Sequence, residues 1–207
     1  MRALKEFKYL FIDLDRWAYA LRLPVICIPL VLFIYVQTWS ILSYRLARAV
    51  HLIEWRWLRW LLYLPAFILR KVSEVITSNT ISEKAKVGPG FYIGHTGAIV
   101  VGSGTVAGVN FSIRQSVTLG GGSEYGSAHP TIGNNVVLGA GAVVIGGVNV
   151  GSNVLIGANA VVTKDIQDFA RAVGAPAEVI NLKGSYGIVN RNFWHRDLSS
   201  YSNFKGS

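Results

Sequence analysis

Two histidines stand where an imidazole on a rigid frame could do proton chemistry. His95 lies in the stretch IGHTGAIV, and His129 lies in SAHPTIG. A free imidazole titrates near neutrality, so in its neutral form it can take a proton from a hydroxyl. The other two histidines keep plainer company. His51 reads as a helix-surface residue, and His195, in the tail RNFWHRD, reads as structural or solvent-facing. A catalytic metal wants about three protein ligands. The repeats described next offer only His95 and His129, so no metal site is expected. The single cysteine, Cys27, sits in an apolar run; it excludes an internal disulfide and is compatible with a reducing compartment.

The frame that must position these histidines announces itself as a six-residue beat. Anchors stand at Ile81, Val87, Ile93, Ile99, Phe111 and Val117, with Thr105 the one polar exception. A nine-residue insert, Ser123–Thr131, carries His129, and the beat resumes at Ile132, Leu138, Val144, Val150, Ile156 and Val162. A six-residue repeat sustained over this length marks a parallel β-helix, with three hexads to a triangular coil and slightly more than four coils in all. Each anchor is expected to point inward and stack on the next coil, where a fully buried aliphatic side chain contributes about 1.5–3 kcal/mol. Asn110, Asn134, Asn135, Asn153 and Asn159 suit corners that need positive φ.

Composition divides the chain. Residues 1–86 hold thirteen Lys/Arg against six Asp/Glu, and residues 87–207 hold seven against five. Leu23–Leu42 contains no formally charged residue, and a second segment, WRWLRWLLYLPAFILR, begins at Trp55. About twenty apolar residues suffice to cross a bilayer core, and Trp, Tyr and Arg at the edges suit a headgroup boundary. Pro24, Pro29 and Pro65 would break or kink such helices. The expectation is a helical arm over residues 1–80 that contacts a membrane surface, lying in the interface rather than spanning it. The alternative is a set of buried helices packed within an oligomer. Glu6, Asp13 and Asp15 ahead of the apolar run argue against a cleaved signal peptide. Basic residues interleaved with apolar ones favour anionic lipid over nucleic acid.

The segments GPGFYIGHTGAIVVG, NFSIRQSVTLGGG, SAHPTIGNNVVLGAGAVVIGGVNVGSNVLIGANAVVTKDI and AVGAPAEVI, in that order and spacing, resemble the hexapeptide-repeat acyltransferases, and within them the serine O-acetyltransferase-like group. LSYRLARAV resembles the helical arm that precedes the solenoid in that group. The resemblance implies a mainly β fold: a left-handed parallel β-helix over residues 81–180, preceded by the α-helical arm and followed by a tail, 181–207. It also implies a homotrimer with acetyl-CoA, the acyl donor, bound between neighbouring solenoids. By resemblance, His95 matches the catalytic base and His129 the histidine of the acceptor-binding loop. On the cofactor side, the small-residue runs LGAGAVV and IGANAVV suggest a slim wall for a pantetheine arm at Gly139 and Ala158. Lys164 and Arg171 could meet phosphates as charge-assisted donors. Small residues would serve tight packing equally well.

Departures from the serine-specific pattern bear on the acceptor. Gly94 and Ala128 stand where the pattern has an aspartate and an arginine, and Thr80 stands where it has the aspartate that orients the base. Glu83 and Glu124 are the nearest carboxylates in sequence, neither at a matching position. Leaving an amino acid's ammonium and carboxylate unpaired in a closed site costs about 1–3 kcal/mol each. The sequence therefore suggests an O-acetyltransferase acting on a carbohydrate hydroxyl, free, polymeric or lipid-linked, in surface polysaccharide synthesis on the cytoplasmic side of the cell membrane. Direct transfer is expected, without an acyl-enzyme. The alternatives are a serine O-acetyltransferase with a divergent pocket, a metal-dependent hydratase on the same solenoid, and a non-catalytic trimeric scaffold.

Overall fold

Short runs of aliphatic and β-branched residues, each closed by a tight corner, leave room only for strands of two to four residues. The computed structural model describes residues 2–121 and 128–185, with 198, 201 and 204. Its first sheet stacks β1 (Thr80–Ile81), β4 (Val100–Val101), β7 (Thr118–Gly120), β10 (Val143–Ile145) and β13 (Val161–Val162). The second stacks β2 (Lys86–Val87), β5 (Val106–Ala107), β8 (Thr131–Ile132) and β11 (Asn149–Val150). The third stacks β3 (Tyr92–Ile93), β6 (Ser112–Ile113), β9 (Val137–Leu138), β12 (Leu155–Ile156) and β14 (Arg171–Val173), with β15 (Glu178–Asn181) added antiparallel at its end. Successive strands enter successive sheets, so the chain winds as a three-sided parallel β-helix. A fifth coil closes through an isolated bridge from Ile166 to Val150.

The register corrects the expected beat. Ile81 stands opposite Val101 and Val101 opposite Leu119, so the first coil takes 20 residues and the second 18. Leu119 stands opposite Val144 and Val144 opposite Val162, which makes the next two coils 25 and 18 residues. The single nine-residue insert is therefore two separate inserts: two residues at the His95 corner and seven at the His129 loop. Between them the inward strand residues are Val101, Ala107, Ile113 and Leu119, while Ile99, Thr105, Phe111 and Val117 sit two positions earlier. Both sets are buried to the same degree, so the periodic signal cannot tell them apart. Asn110, Asn135, Asn153 and Asn159 do adopt positive φ, but Asn134 does not; its Oδ1 accepts the Val109 N–H instead.

Before the solenoid come α1 (Arg2–Ala20), a 3₁₀ turn (Val25–Cys27), α2 (Ile28–Ile34), α3 (Gln37–His51) and α4 (Arg56–Thr77). Pro24 and Pro29 interrupt the uncharged stretch as expected, since a proline nitrogen cannot donate within a helix. Pro65 does not break α4, which runs through it. No single helix among the described residues is long and apolar enough to cross a membrane; α1 and Val25–Ile34 meet both conditions only together and are bent by 108°. The arm is pinned to the first coil by buried charge. Arg45 donates to Asp13 at 2.8 Å and Glu6 at 2.9 Å, and also to the Val87 and Gly88 carbonyls. Asp13 accepts in return from the Gly90 and Phe91 N–H groups. Removing one member of such a network strands the rest in a dry interior, at a cost of about 3–5 kcal/mol.

Candidate active site

The two-residue insert between β3 and β4 makes a wide corner, Gly94–Ile99, and lifts His95 to an exposed position on it. Gly97 and Ala98 take positive φ, at 121° and 53°, to complete the turn. What holds the corner comes from the helical arm. The side-chain oxygen of Asn79, 3% exposed, accepts from Gly97 N at 3.1 Å and from Ile99 N at 3.3 Å. The Asn79 amide donates in turn to Ser40 on α3, which donates to Thr77 at the end of α4. Sequence reasoning does not single out Asn79, because the family pattern marks the neighbouring position, Thr80. The signal available was a cluster of polar residues, Ser73, Thr77 and Asn79, at the end of an apolar helix. Among the described residues no side chain hydrogen-bonds the His95 ring. Glu83 pairs with Arg70 at 2.9 Å instead, and Glu124 lies outside the described residues, as does His195.

His129 is held differently. It precedes β8 at the end of the long insert, half-buried, with its ring laid against three glycines. A Cβ on Gly104 would lie 2.5 Å from its Nδ1, and Cβ atoms on Gly102 and Gly121 would lie 3.1 and 3.2 Å from ring carbons. A side chain at Gly104 would displace the imidazole, while at Gly102 and Gly121 the ring would have to give slightly. The two histidines occupy different edges of the prism, His95 between the third and first sheets and His129 between the first and second. One chain does not bring them together.

Gly139 and Ala158 lie on the edge that carries His95, two and three coils further along. A Cβ on Gly139 would sit 2.6 Å from Ala158 N, so this glycine is required by coil stacking. Ala158 is exposed and presents only its methyl group to the surroundings. Lys164 is exposed on the edge that carries His129. Arg171 is partly committed elsewhere, since its Nε donates to Gly184 O at 2.7 Å and ties down the segment after β15.

Beside His95 a cavity of about 250 Å³ opens over the outer face of the third sheet, bounded by Arg16, Tyr92, Gly94, Ser112 and Arg114. Burial pulls the Arg16 guanidinium down to about 10 and pushes the Tyr92 phenol up. A larger cavity, about 410 Å³, lies in the arm along Trp60, Tyr63 and Phe67 and touches neither histidine corner. Among the described residues no three His, Cys, Asp or Glu side chains converge as a metal site would require.

Comparisons with known proteins bear on this arrangement. The bacterial transferase hexapeptide family (six repeats) matches residues 129–164. A serine acetyltransferase of Helicobacter pylori (strain J99) is 42% identical over 151 residues, covering 72% of this chain and 84% of that protein. The crystal structure of serine acetyltransferase in complex with coenzyme A from Brucella abortus superposes with a TM-score of 0.72 at 30% identity, over 88% of this chain and 71% of that one. The Neisseria gonorrhoeae serine acetyltransferase in complex with serine gives 0.70 at 31% identity, over 84% and 69%.

Proposed function

This chain belongs to the hexapeptide-repeat acyltransferases of the serine acetyltransferase type and uses acetyl-CoA as acyl donor; on that premise we propose that it acetylates an acceptor hydroxyl with His95 as general base. The observation that carries the proposal is an exposed imidazole on a corner pre-shaped by Asn79, at the head of an edge that carries the small residues Gly139 and Ala158 two and three coils further along. Bound acetyl-CoA supplies an acyl carbon already activated as a thioester. The chain's own part is to lay that donor along the Gly139–Ala158 edge; Lys164, which stands on the His129 edge, would reach it as a cationic contact only from a neighbouring copy. His95 takes the proton of the attacking hydroxyl and passes it to the departing CoA sulfur as the C–S bond breaks, a contribution worth about 10²–10⁴-fold. Transfer is direct, without an acyl-enzyme; the single cysteine, Cys27, lies on the arm and is not among the residues bounding the cavity beside His95.

The left hand of the coil and assembly into a homotrimer go with family membership and are part of the proposal. A threefold arrangement can set the His95 edge of one copy against the His129 edge of the next, which supports His129 as a positioning residue for the acceptor.

For the acceptor, the names of the relatives support L-serine, and they lend no support to the carbohydrate suggested by sequence alone. A carbohydrate hydroxyl is kept as a second reading by two residues, Gly94 and Ala128, which offer no charge to an amino acid. Purified protein given labelled acetyl-CoA with L-serine, and separately with lipid extract from its own cells, separates the two. O-acetylserine formed by the wild type and absent with His95→Ala supports the first reading. Label entering only carbohydrate supports the second. Label that transfers equally with His95→Ala overturns the assignment of the base.

A membrane-surface role for residues 1–80, on the cytoplasmic side, is also proposed. Trp57 and Trp60 are 66% and 71% exposed on α4, beside Arg56 and Arg59, the amphiphilic mixture that headgroup boundaries favour. Flotation with anionic liposomes, lost on Trp57→Ser/Trp60→Ser, tests it; a chain that stays at the bottom of the gradient refutes it.

A further inference from the structure

The cavity beside His95 carries an electrical imbalance. Arg16 comes to it from α1, 1% exposed, and makes only neutral contacts. Its guanidinium donates to the carbonyls of Gly90 and Phe111 and to Ser112 Oγ at 2.7 Å, while its Nε has no hydrogen-bond partner. Among the described residues no carboxylate lies within ion-pair distance of Arg16; Asp13, on the same helix, is spent on Arg45. Every other fully buried arginine of the arm has such a partner: Arg45 pairs with Asp13 and Glu6, and Arg48 with Glu6. A buried cation left without a counter-charge is costly unless something arrives to pair it.

A second guanidinium faces the same space. Arg114 is exposed on the strand end next to Ser112, and its Cγ lies 3.8 Å from where a Cβ on Gly94 would be. Gly94 has no side chain to screen it from the His95 corner. No acidic residue bounds the cavity among those described. Two guanidiniums and the Ser112 hydroxyl line one space, a donor set suited to a planar or tetrahedral oxyanion.

We propose that this cavity holds an anionic group of the acceptor, a carboxylate or a phosphate, between Arg16 and Arg114, and so presents a neighbouring hydroxyl to His95. The proposal rests on the assignment of His95 above. It adds that the acceptor carries negative charge, and it identifies Arg114 as a residue that determines specificity.

The test reads binding, independently of turnover. The full chain, saturated with CoA, is titrated with L-serine against L-serinamide, and with glucuronate and glucose 1-phosphate against glucose. At least one anion is expected to bind tenfold or more tightly than its neutral counterpart, and the identity of that anion separates the carboxylate from the phosphate source. Arg114→Gln, at an exposed position, should abolish the preference without weakening CoA. Gly94→Asp, whose Cβ meets only ordinary contacts at 3.6–3.8 Å, should place a carboxylate beside Arg114 and reduce the preference likewise. Equal binding of anions and neutral analogues, no binding of any anion, or a preference that survives Arg114→Gln overturns the proposal. So does competition between the anion and CoA, which would make the cavity part of the donor site. A protein that passes these tests yet transfers no acetyl group leaves the anion site standing and sinks only the enzymatic assignment of His95.

Discussion

The two histidine corners are built by opposite means. At His95 the loop is widened by two residues and held from outside, by the Asn79 side chain reaching in from the end of the helical arm. At His129 the loop is seven residues longer, and the ring lies against Gly102, Gly104 and Gly121, whose small size leaves it a recess. A positioning hydrogen bond tolerates an exposed, accessible ring. A steric recess fixes a ring by enclosing it. The first arrangement suits a group that exchanges protons with a substrate, and the second suits one that fixes a position.

The contrast can be broken most severely at His95. His95→Ala should slow acetyl transfer by about 10²–10⁴-fold, and because the residue is exposed, thermal unfolding should shift by less than about 0.5 kcal/mol. Asn79→Ala comes next. It strands the Gly97 and Ile99 N–H groups, so a stability loss of about 1–3 kcal/mol is expected. Transfer should fall by about 10- to 100-fold, because a misplacement of about 1 Å can cost that much; unchanged kcat would show that the arm does not position the corner. Gly104→Ala sharpens the other side. Its Cβ would lie 2.5 Å from the His129 ring, so the imidazole must move, at a cost of about 1–3 kcal/mol, with KM for the acceptor rising more than kcat falls. If His129→Ala and Gly104→Ala differ in acceptor KM, the recess is not what fixes the ring. The smallest effect belongs to Lys164→Ala, expected to raise KM for acetyl-CoA by about two- to fivefold, about the worth of one exposed charge contact. Measured steady-state constants rank His95→Ala, Asn79→Ala, Gly104→Ala and Lys164→Ala.

Much of the architecture was legible because a six-residue beat has few physical explanations. The strand ladder, the inward anchors and the positive-φ asparagines at Asn110, Asn135, Asn153 and Asn159 all follow from it. The register from Ile99 to Val117 was not legible. Phe111 and Ile113, or Val117 and Leu119, are both buried, so a slip of two residues leaves the hydrophobic pattern intact and hides one insert inside another. The candidate site was half legible. His95 and His129 stood out as imidazoles beside glycines, and Gly139 and Ala158 as small residues in repeats. Asn79 escaped, because an amide's role depends on which N–H groups the fold brings to it. Arg16 escaped for a stronger reason: it lies 74 residues before Gly90, whose carbonyl it meets.

The amino-acid order alone determined a repeating coil, its inward faces and the corners where chemistry can sit, because stacking identical short units is a local rule applied many times. Which charges share a cavity was decided only in three dimensions. Helix α1 crosses the third sheet where the His95 corner opens, and the long-range ion pairs of Asp13 and Glu6 leave Arg16 with no ion pair of its own there. Electrostatic pairing depends on distance through space, and nothing in the spacing of residues along the chain encodes that distance.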